Sequence, residues 1–375
     1  MNHHPRSKVG FAAVFVLLAL AHPAAAQLVA SAIDPAGDRP LLIFPTPGLN
    51  LPSPTQIKIP TAESGLGTVP ISVYSSRFAL LAEPNGYQVG ILDLQAGTVV
   101  DLLPTPSYSG LGTLAVAPSR AWALAMVGDT LTVIHAPFTA LSLIHTVAMP
   151  GSLDNFQTQA VTFNQSGRAF VYHAAGISVL DPPYASISFT IPADNFASGP
   201  IAISPDGETL MVATGYLGGP CMVFRAPYSA SSTPEEVFTP SVGITGLAIA
   251  PDGTFAVAAG YTLPTVYVIS APFGASSTVE TLPLPTVLSA GPGFEHATIS
   301  AKSDLVVVTG GSYGETTAPY AFIEPPFTAA GATVHGVSLI DGLDRGGGSA
   351  GFVPAIVFAD GFESGDTSGW GQTSP

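Results

Sequence analysis

The chain has a single cysteine, Cys221, among 375 residues, so it cannot form an internal disulfide. Only 9% of its residues are charged, and just 10 are lysine or arginine against 25 aspartate or glutamate. We therefore expect no nucleic-acid partner, because binding to phosphates requires clustered basic residues. No segment combines a sustained helical period with a capping residue. Stability has to come from buried apolar side chains, for which the 47% hydrophobic content supplies ample material.

The first 26 residues have the pattern of a secretory signal peptide. Arg6 and Lys8 precede an apolar run over 9–21, and the small residues Ala24 and Ala26 follow it. The run is too short for a transmembrane helix, which needs about 20 apolar residues, although a membrane anchor is the alternative. We expect the mature chain to be exported (secreted, cell-surface or periplasmic) and to lack a membrane span.

A turn-centred repeat runs along the chain. The clearest copies are IAISPDGETLMVATGY (201–216) and LAIAPDGTFAVAAGY (247–261), in which two apolar runs flank a Pro-Asp-Gly turn. Weaker copies raise the number of repeats to seven, 40 to 50 residues apart, anchored at Asp34, Tyr74, Ala117, Asn164, Ser204, Ala250 and Ser300. Such a period is typical of solenoids, propellers and other repeat architectures.

Each repeat contains four short apolar segments that predict β-strands. In the repeat after Ser204 the second is TLMVATG (209–215) and the third is CMVFR (221–225), and both are rich in Val, Leu, Met and Thr. Four strands in each repeat of this length predict an all-β, seven-bladed β-propeller over 27–341, with six or eight blades as alternatives. We expect it to be a monomer.

A second repeated element lies between the third and fourth strands of a repeat. It consists of a proline, an aromatic residue and small residues, and it occurs at 134–142, 180–188, 224–232, 269–277 and 323–331. Proline cannot donate to a β-ladder and therefore belongs at a strand end or turn. We interpret the element as architecture: the small residues allow a tight reversal, and the ring covers apolar surface between adjacent blades.

The segments SPDGETLMVATG (204–215) and APDGTFAVAAG (250–260) resemble the YVTN-type seven-bladed propellers, a group that includes lactonase-like proteins. The resemblance covers about 30–340. It implies a propeller fold, and for the lactonase-like members it implies a hydrolase or lyase activity. The usual ending of the third strand is replaced here by VISAPF (268–273) or VFRAPY (223–228), and the Trp-Asp dipeptide of WD40 repeats is absent from the chain.

The C-terminal part departs from the repeat. GLDRGGGSAG (342–351) has the composition of a flexible connector, and FVPAIVF (352–358) is able to add one strand. We expect 342–375 to be a linker and tail, with a sorting or surface-retention segment as one interpretation and a disordered acidic end as the other.

Two sets of loops face the mouth of a propeller funnel, where ligands usually bind. The turns between second and third strands carry four tyrosines, which are able to form an aromatic rim for a sugar or another flat ligand: Tyr87, Tyr216, Tyr261 and Tyr313. The alternative is that Gly-Tyr is turn chemistry duplicated with the blades.

The links between blades add polar candidates. Asp154 and Asp194 are candidate ligand-binding residues, and Glu295 and His296 are weak candidates for general acid–base catalysis. Adjacent residues on a strand point to opposite faces, so the pair would not cooperate in an extended segment. No histidine spacing indicates a metal site, and no cofactor is expected.

Three hypotheses follow. The first is a non-enzymatic exported propeller that binds a ligand or partner, for example an extracellular or periplasmic protein or a carbohydrate. The second is a lactonase-like hydrolase or lyase with acids and His296 in the funnel. The third is a surface structural protein displayed through its tail.

Overall fold

A computed structural model describes residues 28–33, 39–44, 55–59, 70–82, 89–103, 105, 112–153, 159–193, 199–214, 218–261, 263–285, 294, 296–310, 320–337 and 345–352. The predicted leader, 1–26, and the tail after 352 lie outside this part of the chain. No helix among the described residues is both long and apolar enough to cross a membrane.

Six four-stranded antiparallel sheets follow one another along the chain, and we call them blades 1 to 6. Blade 1 contains β4 (Ile71–Val73), β5 (Phe78–Ala82), β6 (Val89–Asp93) and β7 (Thr98–Leu103). Blade 2 contains β8 (Thr113–Val116), β9 (Trp122–Val127), β10 (Thr130–His135) and β11 (Ile144–Ala148). Blade 3 contains β12 (Val161–Phe163), β13 (Ala169–His173), β14 (Gly176–Leu180) and β15 (Phe189–Ile191).

The other three blades have the same order. Blade 4 contains β16 (Ile201–Ile203), β17 (Thr209–Ala213), β18 (Cys221–Arg225) and β19 (Glu235–Phe238). Blade 5 contains β20 (Ile244–Ile249), β21 (Phe255–Gly260), β22 (Thr265–Ser270) and β23 (Val279–Thr281). Blade 6 contains β24 (His296–Ile299), β25 (Val306–Thr309), β26 (Tyr320–Glu324) and β27 (Thr333–Val337). The predicted all-β propeller with four strands per repeat is confirmed for these blades.

The remaining strands form a further four-stranded sheet, here called the closing sheet. Its strands are β28 (Arg345–Phe352), β1 (Leu28–Ile33), β2 (Arg39–Phe44) and β3 (Thr55–Ile59), in that spatial order. Two expectations are thereby wrong. Residues 345–352, expected to lie in a flexible connector, form β28, and the repeat anchored at Asp34 supplies strands two to four of its sheet instead of one to four. The described residues therefore form six blades, and not seven, in which all four strands are consecutive in the chain.

The first strands of neighbouring sheets contact each other around the molecule. β4, β8, β12, β16, β20 and β24 follow in order, and β28 contacts both β24 and β4. The closing sheet thus joins blade 6 to blade 1 and completes the ring, because its innermost strand comes from one end of the chain and its other strands from the opposite end.

The core lies between the faces of adjacent blades. Leu80 and Ile91 of blade 1, for example, pack in one cluster with Ala123 and Ile134 of blade 2. The second and third strands are buried on both faces, as in β6, whereas the outer strand β7 alternates between exposed and partly buried residues. Apolar runs without alternation are expected for strands that are covered on both sides.

The proline-aromatic elements connect third and fourth strands, as predicted. All five contain a cis peptide bond directly before the proline that precedes the aromatic residue. These prolines are Pro137, Pro183, Pro227, Pro272 and Pro326. The aromatic ring packs against the preceding blade: the ring centroid of Phe138 lies 5.1 Å from that of Tyr74 in blade 1, and the centroid of Phe327 lies 4.6 Å from that of Phe255 in blade 5. The interpretation of the element as inter-blade architecture is confirmed.

A carboxylate from the preceding blade binds three of these elements, a feature that the sequence analysis did not predict. Asp101 on β7 accepts a hydrogen bond from the backbone N–H of Ala140 at 2.7 Å. Glu235 accepts from Ala275 at 2.8 Å, and Glu280 accepts from Ala329 at 2.6 Å. The three donors occupy the same place, three residues after the cis proline, and we call these contacts clasps.

Candidate functional site

The first strands of the six blades surround a central cavity of about 290 Å³. Backbone and mostly apolar side chains line it, from Ile71 in blade 1 to Ile299 in blade 6. Apart from threonines, the described polar side chains that line it are Gln159 and His296. The candidate funnel chemistry of the described residues therefore rests on these two.

Gln159 precedes β12 and joins blade 3 to blades 5 and 6. Its side-chain amide nitrogen donates to the carbonyl of Ala297 at 2.8 Å, and its side-chain oxygen accepts from the N–H groups of Leu247 at 2.9 Å and Ala297 at 3.2 Å. Its backbone carbonyl accepts from the N–H of Ile201 in blade 4 at 2.9 Å. One residue thus connects four blades through the cavity.

The sequence analysis missed Gln159. Its signal was an amide in TQAVTF (158–163), where a polar residue comes directly before an apolar first strand. An amide suits this position because it carries both a donor and an acceptor, and so is able to pair with a peptide group as a neighbouring strand does.

His296, the weak catalytic candidate, begins β24 and lines the same cavity. It is 7% exposed, its Nδ1 has no hydrogen-bond partner, and burial lowers its pKa to about 3. A neutral imidazole with so low a pKa is a weak general base at neutral pH. Its neighbour Glu295 lies outside the described residues.

Most of the predicted ligand-binding residues also lie outside the described part of the chain: Tyr87, Tyr216, Tyr313, Asp154 and Asp194. Tyr261 is described. It directly follows β21, is half-buried, and donates its backbone N–H to the carbonyl of Gly243 at 2.7 Å. Tyr261 thus lies in the turn between the second and third strands of blade 5, and the aromatic rim and the grouping of the other five residues stay predictions.

The buried histidine His173 has a structural role. Its Nδ1 accepts from the N–H of Ala175 at 3.2 Å, so its Nε2–H donates to the hydroxyl of Ser178 at 2.8 Å. Burial lowers its pKa to about 4. Burial likewise raises the pKa of the Cys221 thiol to about 12, which leaves it protonated and unreactive.

A second cavity, of about 660 Å³, lies between blades 1 and 2, on the face of the propeller opposite the turns between second and third strands. We call it the turn-face cavity, because it is bounded by the β4–β5 and β8–β9 turns and by the β10–β11 proline-aromatic element. Its lining includes Tyr74, Phe78, Val100, Arg120 and Phe138. The proline-aromatic element of blade 2, interpreted above as architecture, thus also borders a cavity.

Within the described ranges, no group of three or more histidine, cysteine, aspartate or glutamate side chains is arranged to hold a metal ion. The carboxylates of the Pro-Asp-Gly turns accept hydrogen bonds from residues of the same turn. Asp206 accepts from the N–H of Glu208 at 3.0 Å, and Asp252 accepts from the N–H and hydroxyl of Thr254 at 3.0 and 2.7 Å. Their predicted role in turn formation is confirmed.

Comparison with solved structures shows the fold. A protein from Lactobacillus plantarum has a TM-score of 0.66 at 11% identity, over 88% of this chain and 99% of that one. The propeller domain of Myceliophteria thermophila Cps50 (Swd1) has a TM-score of 0.52 at 15% identity, over 75% of this chain and 93% of that one. Kuenenia stuttgartiensis hydrazine synthase has a TM-score of 0.56 at 15% identity, over 70% of this chain and 79% of that one. No family model and no curated protein matches the chain. The chain is thus similar in fold to β-propellers, and identities this low carry no function.

Proposed function

We propose that this protein is an exported, non-enzymatic β-propeller that acts as a binding scaffold. The observation that carries the proposal is the position of Gln159. Its side-chain amide lines the central cavity beside His296, and its three side-chain hydrogen bonds tie blade 3 to blades 5 and 6. A cavity held together in this way supports the ring, and binding is left to the outer surfaces of the propeller.

In this proposal the closing sheet is the seventh blade, and the chain is a distant YVTN-type propeller. The ring of first-strand contacts through β28 supports the blade number. The repeats around Ser204 and Ala250 support the family assignment. The tyrosine rim supplies the binding surface, with Tyr261 as the member whose position is described.

The test is ligand-induced stabilisation of residues 27–375. Thermal unfolding is followed with simple and polymeric sugars, lactones, calcium and EDTA. A ligand at about one hundred times its Kd stabilises the protein by roughly 2.7 kcal/mol. We expect a shift with a polymeric sugar that Tyr261→Ala reduces. Leu263→Ala, an exposed apolar change in the same turn, is the matched control. A shift with lactone or metal instead would contradict the scaffold function.

The lactonase-like alternative has one observation in its favour, the unpartnered Nδ1 of His296 beside the central cavity. Lactone turnover that His296→Gln abolishes, in a variant that still folds, would establish this function and end the scaffold proposal.

We further propose that residues 353–375 retain the protein at the cell surface. This boundary differs from the sequence prediction, since removal of 345–352 would also remove β28. Deletion of 353–375 is expected to move the protein from cells to medium without changing its melting temperature. An unchanged distribution would rule the role out.

A further inference from the structure

The turn-face cavity lies at a junction that receives no side chain from the end of a third strand. The residue at that place in blade 1 is Asp93, and we compare it with its counterparts in blades 2 and 4. Asp93 pairs with Phe78 across β6 and β5, as His135 pairs with Trp122 in blade 2 and Arg225 with Thr209 in blade 4. These three residues therefore occupy equivalent positions at the ends of third strands.

In blade 4 that residue reaches the next blade, and in blade 2 it packs on a side chain that does. The ring of His135 lies 3.8 Å from that of Trp122, and Trp122 packs edge-on against Tyr184 of blade 3. The guanidinium of Arg225 donates to the carbonyls of Pro272 and Phe273 in blade 5. Both junctions are filled with side chains from the preceding blade.

Asp93 does not reach blade 2. Its carboxylate accepts from Arg77 at 2.7 Å and from the backbone N–H groups of Gln95 and Ala96 at 2.9 and 3.0 Å. All of these partners belong to blade 1. The space between the blades stays open and is bounded by the aromatic rings of Tyr74, Phe78 and Phe138.

The lining has the composition of a small-molecule site. Its volume of about 660 Å³ lies in the usual range for such sites, which are mostly apolar with a few polar groups that orient the ligand. The polar groups are the Tyr74 hydroxyl, Ser75, Thr139, Asp101 and Arg120. Burial raises the pKa of Tyr74 to about 12, so its hydroxyl is a hydrogen-bond donor.

The cavity lining holds one anion, Asp101, and one cation, Arg120, which differ in whether they are already bound. Both oxygens of Asp101 are already engaged, one by the N–H of Leu102 at 2.9 Å and the other by the N–H of Ala140 at 2.7 Å. Arg77 is paired with Asp93. The Arg120 guanidinium has no hydrogen bond or ion pair within the described residues, and its φ of 57° is set by the tight β8–β9 turn. Among the described residues that line the cavity, it is the one cation.

Apolar surface continues outward from the cavity. Among the described residues, four of the five large apolar side chains that are well exposed lie on β7 or in the β10–β11 loop: Val100, Leu102, Leu141 and Leu143. The clasp between Asp101 and Ala140 holds these two segments together. Exposed apolar patches of this kind mark binding sites.

We propose that the turn-face cavity binds a small apolar carboxylate of the fatty-acid or aryl-acid class. Arg120 holds the carboxylate, assisted by the Tyr74 hydroxyl, and the three aromatic rings enclose the apolar body. The site lies on the face opposite the tyrosine rim, so its existence does not depend on the scaffold function proposed above.

The experiment is isothermal titration calorimetry of residues 27–375 with decanoate, below its micelle concentration, and with decanol and decylamine. We expect decanoate to bind one to one and more tightly than the other two. Arg120→Gln is expected to weaken decanoate binding at least about tenfold and to leave decanol within about twofold, since a charge-assisted hydrogen bond is lost. Arg120→Lys keeps the charge and should retain part of the affinity.

Two further variants complete the test. Val100→Trp places a large ring at the half-exposed edge of the cavity and is expected to abolish binding. If Val100→Trp does not fold, Val100→Phe replaces it. Lys302→Gln removes a cation from the equivalent turn of blade 6 and should change nothing. The proposal is overturned by absence of decanoate binding, by equal binding of decanol, by binding insensitive to Arg120 and Val100, or by an equal effect of Lys302→Gln.

Discussion

The side-chain amide of Gln159 and the peptide group of Ala297 form a two-way hydrogen-bonded pair across the central cavity. The amide donates to the Ala297 carbonyl at 2.8 Å and accepts from the Ala297 N–H at 3.2 Å. Blade 3 is thereby attached to blade 6 as one β-strand is attached to the next. The ring is held at its centre by a side chain in addition to the contacts between neighbouring blades.

Replacing Gln159 with leucine should destabilise the protein by at least about 3 kcal/mol, because three polar groups lose their partner. The change keeps the approximate volume but leaves the N–H groups of Leu247 and Ala297 and one carbonyl without a partner, and each unsatisfied buried group costs about 1–3 kcal/mol. The free energy of unfolding in urea measures the effect. Gln95→Leu, in an exposed turn, is the control and should cost less than about 0.5 kcal/mol. Equal effects of the two changes would contradict the role of Gln159.

Removing a clasp should have a smaller and additive effect. Asp101→Asn and Glu280→Gln each weaken a charge-assisted hydrogen bond at a partly exposed site, with an expected cost of about 1 kcal/mol. Because the two clasps lie in different junctions, the double variant should lose about the sum of the single losses. Glu208→Gln, an exposed acid outside the clasps, is the matched control in the same urea titration. A double variant no less stable than this control would show that the clasps do not contribute.

Gly246 allows β20 and β24 to approach each other closely. A Cβ at this position would lie 2.7 Å from the backbone carbon of His296 and 2.8 Å from the nitrogen of Ala297. Gly246→Ala should therefore cost more than about 2 kcal/mol, since backbone atoms have to move. At Gly90 a Cβ would meet only side chains, at 3.4 Å or more, so Gly90→Ala is expected to stay within about 1 kcal/mol of wild type. Melting temperatures of both variants test this, and the reverse order would refute it.

Stability should fall as the pH drops below about 6.5. Burial lowers the pKa of His173 to about 4 and that of His296 to about 3, whereas both take up a proton near 6.5 in the unfolded chain. The unfolded state then binds more protons, so each histidine removes about 2 kcal/mol of stability between pH 7 and pH 5. The hydrogen bond from Arg168 lowers the pKa of Asp181, whose contribution is lost only below about pH 4.

Urea titrations at pH 7, 6 and 5 measure this slope. His296→Gln removes one of these protonation steps and should make the loss of stability between pH 7 and pH 5 about 2 kcal/mol smaller. An unchanged slope in the variant would show that folding does not lower the pKa of His296.

Features with a repeated sequence motif were predictable from the sequence, whereas the clasps and the features that occur once were not. The Pro-Asp-Gly turns and the proline-aromatic elements recur, so their spacing alone indicated a propeller and placed the rings between blades. Strand β28 was missed because a glycine-rich segment has weak strand propensity and pairs here only with a strand more than 300 residues away. Gln159 and Arg120 were missed because their roles depend on partners brought together by the ring.

We propose that the interior of the ring supports the structure and performs no reaction. The test is lactone hydrolysis by wild type and by His296→Gln, followed side by side at neutral pH with and without calcium. We expect rates equal to the uncatalysed rate in both proteins. Turnover in wild type that disappears in a folded His296→Gln variant would contradict it.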